Sequence, residues 1–409
     1  MTRSSEQAQV RFSHPYRWII LLLAMLIQVG VSLLQQAPAA LGPVLIRDLG
    51  LARSQVGLLY ASTFGGMILA TLPIGVLIDQ HGERWLIVCG ASAMCFLTLL
   101  ASKSNSFLLL FTFLFLAGIG GASSSPGGTK AISAWFPRRE WGMALGIRQT
   151  GVTIGGMVGA LLLPPIALRF GWVVGLDAAA ALFLLIVFGF GVFYRNEQPE
   201  SIDRPLRPAI GPLLRDRRLL VLALYSFVFN GAQGSTVSYL SLFGHQDMGL
   251  SIPAAGVLLA MLLAGGSVGR IGWGILSDRM GRRGTIMVGI GALAVVSIFA
   301  TGFVGPSTPY AVILGLAFLL GLSAVGWNGL YFTAVSEVAG AKAAATALGL
   351  GLMATYLGPF VVPPLFGLLA DYTHSYQASW LALGAWAIFG TALALVIRRD
   401  EKTWRVISE

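Results

Sequence analysis

The stretch GGSVGRIGWGILSDRMGRR, Gly265 to Arg283, decides the fold. It starts inside an apolar run and ends in a knot of charge, with Arg270 inside the apolar part, eight residues before Asp278. A second stretch, GVLIDQHGER from Gly75 to Arg84, repeats its end as Gly-x-Leu-x-Asp-x-x-Gly-x-Arg. The aspartates Asp79 and Asp278 stand 199 residues apart, about half of the 409-residue chain. The same offset relates Asp48 to Asp247, Gly50 to Gly249, Leu51 to Leu250, Gly57 to Gly256, Gly66 to Gly265, and Pro164-Pro165 to Pro363-Pro364. A constant offset across loops and apolar runs means that one unit is written twice.

Hydrophobic residues make up 56% of the chain and charged residues 11%. Mean hydropathy is +0.78. A soluble domain carries about 25% charged residues. A bilayer-spanning helix needs about 20 mostly apolar residues, and the chain supplies twelve such runs, the first at Trp18–Val44. In lipid no water satisfies the backbone, so every run is helical. The expected fold is an all-α membrane protein: twelve transmembrane helices in two pseudo-symmetric six-helix bundles, residues 17–194 and 219–397. A linker at 195–218 holds Pro199, Pro205, Pro208 and Pro212, and tails at 1–16 and 398–409 complete the chain. The run at Trp18 is too long for a cleavable signal.

The net charge of +10 is topological rather than a nucleic-acid footprint. Of 27 lysines and arginines, Lys130, Arg148 and Arg270 lie inside apolar runs, and Arg47, Arg53, Lys103 and Arg169 fall on one side. The remaining twenty fall on the other, which the positive-inside asymmetry places in the cytoplasm with both termini. Cys89 and Cys95 share the third apolar run and read as small buried hydrophobes. No phosphate loop or zinc motif occurs, and His14, His81, His245 and His374 fall in loops, so no enzymatic activity, cofactor or metal is expected.

The paired Asp79 and Asp278 motifs resemble the loop signature of the major facilitator superfamily, and the twelve runs and the half-chain repeat agree with it over nearly the whole chain. The resemblance implies a secondary transporter of the bacterial inner membrane, expected as a monomer in lipid, that works by alternating access with its site between the halves. Asp79, Arg84, Asp278 and Arg282 are then a latch that holds one transport state, unless the aspartates only cap helices.

In this superfamily the first, fourth, seventh and tenth helices line the cavity. Here they offer Gln28 and Gln35, with Gln36 beside them; Lys130; Tyr225, Asn230 and Gln233; and Trp327, Asn328 and Tyr331. The glutamines either meet substrate or bond to neighbouring helices. The aromatic residues either size the cavity or pack. Lys130 lies near an edge from which it can snorkel. The segment KAISAWFPRRE, Lys130 to Glu140, followed by GMALGI, Gly142 to Ile147, resembles organic-anion symporters and nitrate porters. GVTIGGMVG, Gly151 to Gly159, lacks the proline common in drug/proton exporters.

Arg148, beside Gln149, lies nine residues from Arg139, about 13 Å into the membrane at a rise of 1.5 Å per residue. A charge at such depth costs at least about 2.5 kcal/mol and faces a cavity or a partner. Gly269-Arg270 with Gly274 and Ser277-Asp278 resembles monocarboxylate and oxalate/formate porters, whose arginine at this position binds substrate carboxylate. A guanidinium fork suits that task. The alternative is an ion pair with a helix acid, but acids are scarce: Asp177 and Glu337 sit near run ends. Oxalate porters add a lysine in the eleventh helix, and Lys342 precedes that run here. The expected substrate is therefore a small organic anion, above all a monocarboxylate, moved by proton coupling, with Asp177 as the candidate acid, or by anion exchange. A proton-coupled drug or metabolite exporter and a nitrate or other inorganic-anion porter are the alternatives.

Overall fold

The computed structural model describes residues 15–137, 140–195 and 210–404. The expected N-terminal tail up to residue 14, Arg138 and Arg139, positions 196–209 of the expected linker, and the C-terminal tail from 405 lie outside the described residues. Among the described residues there are twelve helical spans long and apolar enough to cross a membrane. They are α1 (Tyr16–Ala40), α2 (Arg53–His81), α3 (Glu83–Ser102), α4 (Phe107–Trp135), α5 (Met143–Phe170) and α6 (Trp172–Phe193). The second half repeats them as α7 (Arg217–Gln246), α8 (Ile252–Met280), α9 (Arg283–Gly302), α10 (Tyr310–Gly340), α11 (Thr346–Thr373) and α12 (Tyr376–Arg399). Buried apolar side chains form two large clusters, one centred in each half. Outward-facing residues such as Leu108, Leu185, Phe188 and Val296 stay exposed, as a lipid-facing surface requires.

The first apolar run is longer than its helix. α1 ends at Ala40, Leu41 turns, and a short helix follows at Gly42–Leu49. Pro43 has no N–H to carry the ladder onward, but it fits the first turn of a new helix. The motif glycines explain the repeat at the charged loops. Gly82 takes φ 85° between α2 and α3, and Gly281 takes φ 58° between α8 and α9. A side chain there would clash with the backbone, so only glycine turns the chain this tightly without strain. Equivalent helices also break alike: α4 turns at Ala122–Ser123, and α10 carries a π-helical turn at Gly321–Val325.

The halves meet where α2 packs on α11 and where α5 packs on α8. The duplicated residues meet each other there. A Cβ on Gly57 would stand 2.8 Å from the Pro363 carbonyl oxygen, and one on its counterpart Gly256 would stand 2.4 Å from Ala160 and 3.3 Å from Pro164. At this end the halves are also bonded. The Asp371 carboxylate accepts from the backbone N–H groups of Arg53 and Ser54, at 3.0 and 2.9 Å, at the N-terminus of α2. Arg53 donates to the Ala370 carbonyl and to Gln246, and the Tyr239 hydroxyl donates to the Arg53 carbonyl.

The end that carries Asp79 and Asp278 differs. Towards that end Arg270 still bonds to Gln149 and Tyr356 to Ser125 across the halves, but a Cβ on Gly75, Gly146, Gly274 or Gly349 would meet nothing within 4 Å. The molecule is thus closed at one end and parted at the other.

Candidate functional site: a cavity between the halves

A cavity lies between the halves, below the closed end. It is lined from α1 by Gln28 and Gln35, from α5 by Gln149, from α7 by Asn230 and Gln233, from α8 by Arg270 and from α10 by Asn328. These expected site residues therefore share one space, although the chain separates them by up to three hundred positions. The apolar part of the wall includes Phe64, Val237 and Leu263.

Arg270 spans the two halves. Its Nη1 donates to the Gln149 carbonyl at 2.7 Å and its Nε to the Val325 carbonyl at 3.4 Å. These bonds leave the Nη2 edge of the fork without a partner among the described residues. Arg148 is only 2% exposed and lies behind the wall. One Nη2 donates to Gln28 Oε1 and to the Ser124 carbonyl, both at 3.0 Å, and more weakly to Ser125 at 3.4 Å. Gly128 admits the guanidinium, since a Cβ there would stand 2.4 Å from Nε. Among the described residues neither arginine pairs with a carboxylate, and no aspartate or glutamate lines the cavity.

Four other expected binding residues stand elsewhere. Lys130 donates to the Ile78 carbonyl at 2.6 Å and lies 3.9 Å from Glu83, whose other oxygen accepts from Tyr194 at 2.7 Å. That network joins α2, α3, α4 and the end of α6, away from the cavity, so Lys130 is a structural ion-pair residue in this state. Tyr225, Trp327 and Tyr331 are fully buried behind the wall, with ring centroids 5.8 Å apart from Tyr225 to Trp327 and 5.5 Å from Trp327 to Tyr331. Packing claims them because their rings fill the space between α7 and α10.

Asp177 also lies off the cavity. It accepts from Ser102 and from Lys103, both at 2.5 Å, where α3 ends and α6 begins, on the side of the closed end. Of the two latch aspartates, Asp278 is the one with an arginine partner among the described residues. Asp278 accepts from Arg283 at 3.1 Å rather than from Arg282, and Arg283 also reaches Glu337 at 2.6 Å. Arg84 donates to the Gly191 carbonyl, and exposed Asp79 has no partner among the described residues. All of these contacts stay within one half.

Several cavity residues carry little sequence signal. Thr153 lines the cavity and accepts from Ser267 across the halves at 2.6 Å. Ser124, Ser125, Thr355 and Tyr356 also line it. Small hydroxyls are cheap in an apolar helix, so nothing in the pattern marks them.

The chain belongs to the major facilitator superfamily, whose family model, described as Major Facilitator Superfamily, matches residues 20–363. It is a multi-pass membrane protein and a secondary transporter of that superfamily. It is 29% identical to an uncharacterised MFS-type transporter of Mycobacterium tuberculosis, over 93% of this chain and 85% of the relative. It is 22% identical to the hexuronate transporter of Escherichia coli strain K12, over 96% of each chain. Its fold superposes with a TM-score of 0.81 on a bacterial homologue of the human lysosomal transporter Spinster. That match, at 18% identity, covers 96% of this chain and 99% of the other.

Proposed function

We propose that this transporter carries a small organic anion, a monocarboxylate, across a bacterial cytoplasmic membrane by alternating access. One observation carries the reading: the cavity between the halves holds Arg270 among amides and hydroxyls, with no acid on its wall. A cation so placed has only dipoles for partners, and an entering carboxylate supplies the missing charge. Arg148 is spent on Gln28 and on backbone carbonyls, so one fork faces the ligand, which favours one carboxylate over two. The apolar wall of Phe64, Val237 and Leu263 favours an organic acid over nitrate. The Escherichia coli relative is named for hexuronate, an organic acid.

The positive-inside asymmetry places the Asp79 and Asp278 end in the cytoplasm, so the closed end faces outward and this is the inward-open state. With Asp177 held by Lys103, the cavity offers no carboxyl to carry a proton. A coupled proton then rides on the substrate, or a second anion makes the return.

The test is a melting screen of the purified protein against carboxylates, amines and inorganic anions, followed by uptake into proteoliposomes. A ligand that binds the native state stabilises it by mass action. Stabilisation by carboxylates with matching uptake is expected. Stabilisation by amines alone would overturn the reading.

A further inference from the structure

We propose that Gln28 and Gln233 determine the specificity of this cavity, each presenting a fixed pair of N–H donors to the anion bound at Arg270. Arg148 and Trp327 are positioning residues that hold the two amides the right way round. The inference rests on the organic-anion reading.

A glutamine amide is ordinarily ambiguous, because its oxygen and nitrogen ends exchange by a half-turn. Here two obligate donors remove the ambiguity. The indole N–H of Trp327 can only donate, and it stands 3.1 Å from Gln233 Oε1. The Asn328 Nδ2 donates to the same oxygen at 2.9 Å, so both lone pairs are taken. A guanidinium likewise only donates, and Arg148 Nη2 stands 3.0 Å from Gln28 Oε1. Flipping either amide would set N–H against N–H in a buried place, which costs the full loss of a bond on each side. The Nε2 groups of Gln28 and Gln233 make no hydrogen bond among the described residues, and both side chains line the cavity. Asn230 gives the contrast: its Nδ2 is spent on the Thr355 carbonyl at 2.6 Å.

The two locked amides come from opposite halves, Gln28 on α1 and Gln233 on α7, so an anion between them is held from both sides. Each anchor lies outside the cavity wall: Trp327 is fully buried and Arg148 nearly so. An amide locked in this sense cannot accept, so the cavity disfavours ammonium and guanidinium ligands at both positions. It favours a carboxylate, or a carboxylate with an adjacent hydroxyl oxygen.

The experiment measures dissociation constants for D-glucuronate, D-gluconate and L-lactate on purified wild type, Q233E, Q28E, Q233M and W327F, with the melting temperature of each without ligand. Gln233→Glu keeps the acceptor for Trp327 and Asn328 but replaces the cavity-facing N–H pair by a charged carboxylate oxygen, while Gln233→Met removes the pair without adding charge and must weaken carboxylate binding too. Affinity for the carboxylate that wild type binds best should fall about tenfold or more in Q233E and in Q28E, the scale of a charge-assisted hydrogen bond. Ligand-free melting should not fall. Trp327→Phe keeps the ring and loses only its N–H. It should weaken binding in the wild-type background and have no further effect in Q233M, a coupling that a merely structural role for Trp327 would not produce. If Q233E fails to fold, Q233M and Q28E carry the test. Unchanged carboxylate affinity in the glutamine variants, with wild type binding normally, overturns this proposal and leaves the organic-anion reading standing. Wild type that binds none of the three carboxylates overturns both.

Discussion

Replacing Arg270 by lysine keeps the charge and removes the fork. Arg270 has five N–H groups; one is spent on the Gln149 carbonyl and one, at longer range, on the Val325 carbonyl. Three remain, two of them on the Nη2 edge, and they can meet a carboxylate in parallel. A lysine ammonium that keeps the short bond to Gln149 has two donors left, on a single tetrahedral nitrogen, and cannot offer a planar pair. One charge-assisted hydrogen bond is therefore lost, about 1.5–3 kcal/mol. That converts to roughly a tenfold to hundredfold rise in the dissociation constant. The assay is ligand titration of the purified variant beside its ligand-free melting curve. A carboxylate affinity equal to wild type, with a lowered melting temperature, would show that Arg270 only ties α8 to α5 and would refute the reasoning.

Asp371→Asn should release the closed end. The asparagine oxygen can take one of the two α2 N–H groups, while its own N–H₂ opposes the other, so one charge-assisted bond worth about 1.5–3 kcal/mol is lost. Spin labels at Asp48 and Gln377, exposed in opposite halves at this end, should report a growing long-distance population, and an unchanged distribution would sink the idea. Asp79→Asn should leave the melting temperature unaltered, because Asp79 is exposed and unpartnered among the described residues. It should slow turnover by weakening the alternate state, so wild-type uptake rates would count against the latch. Asp177→Asn removes a part-exposed ion pair with Lys103 and should cost less than about 1 kcal/mol. The pH profile of uptake should stay in place, and loss of pH-driven uptake would restore Asp177 as a coupling acid.

The membrane architecture was legible because hydrocarbon leaves the chain no choice. Twelve apolar runs must be helices, and a constant offset of 199 residues must be a repeated unit. Arg270 was legible for a related reason: a guanidinium in an apolar run is expensive enough to need a purpose. The same signal also marked Lys130 and Arg148, and there it did not discriminate. All three are cations in apolar runs, yet Arg270 reaches the cavity, Arg148 braces Gln28 from behind it, and Lys130 serves a network with Glu83 and Tyr194. Burial cost says that a charge has a partner; it does not say on which side of the helix the partner stands. Tyr225, Trp327 and Tyr331 show the same limit, since an aromatic ring packs as readily as it lines a cavity. Thr153, Ser267 and Tyr356 show the opposite one, because an uncharged polar group in a helix raises no alarm.

The sequence by itself determined the helices, the repeat and the presence of a buried fork. Tertiary structure decided which end is shut. The duplicated pairs Gly57 with Pro363 and Gly256 with Pro164 make that closure nearly symmetric. The bonds that hold it join Arg53 to Asp371, more than three hundred residues apart. Helical periodicity is the same in every transport state, since the helices move as bodies while their internal hydrogen bonds persist. Only contacts between the halves differ, and those lie beyond the reach of any local pattern in the chain.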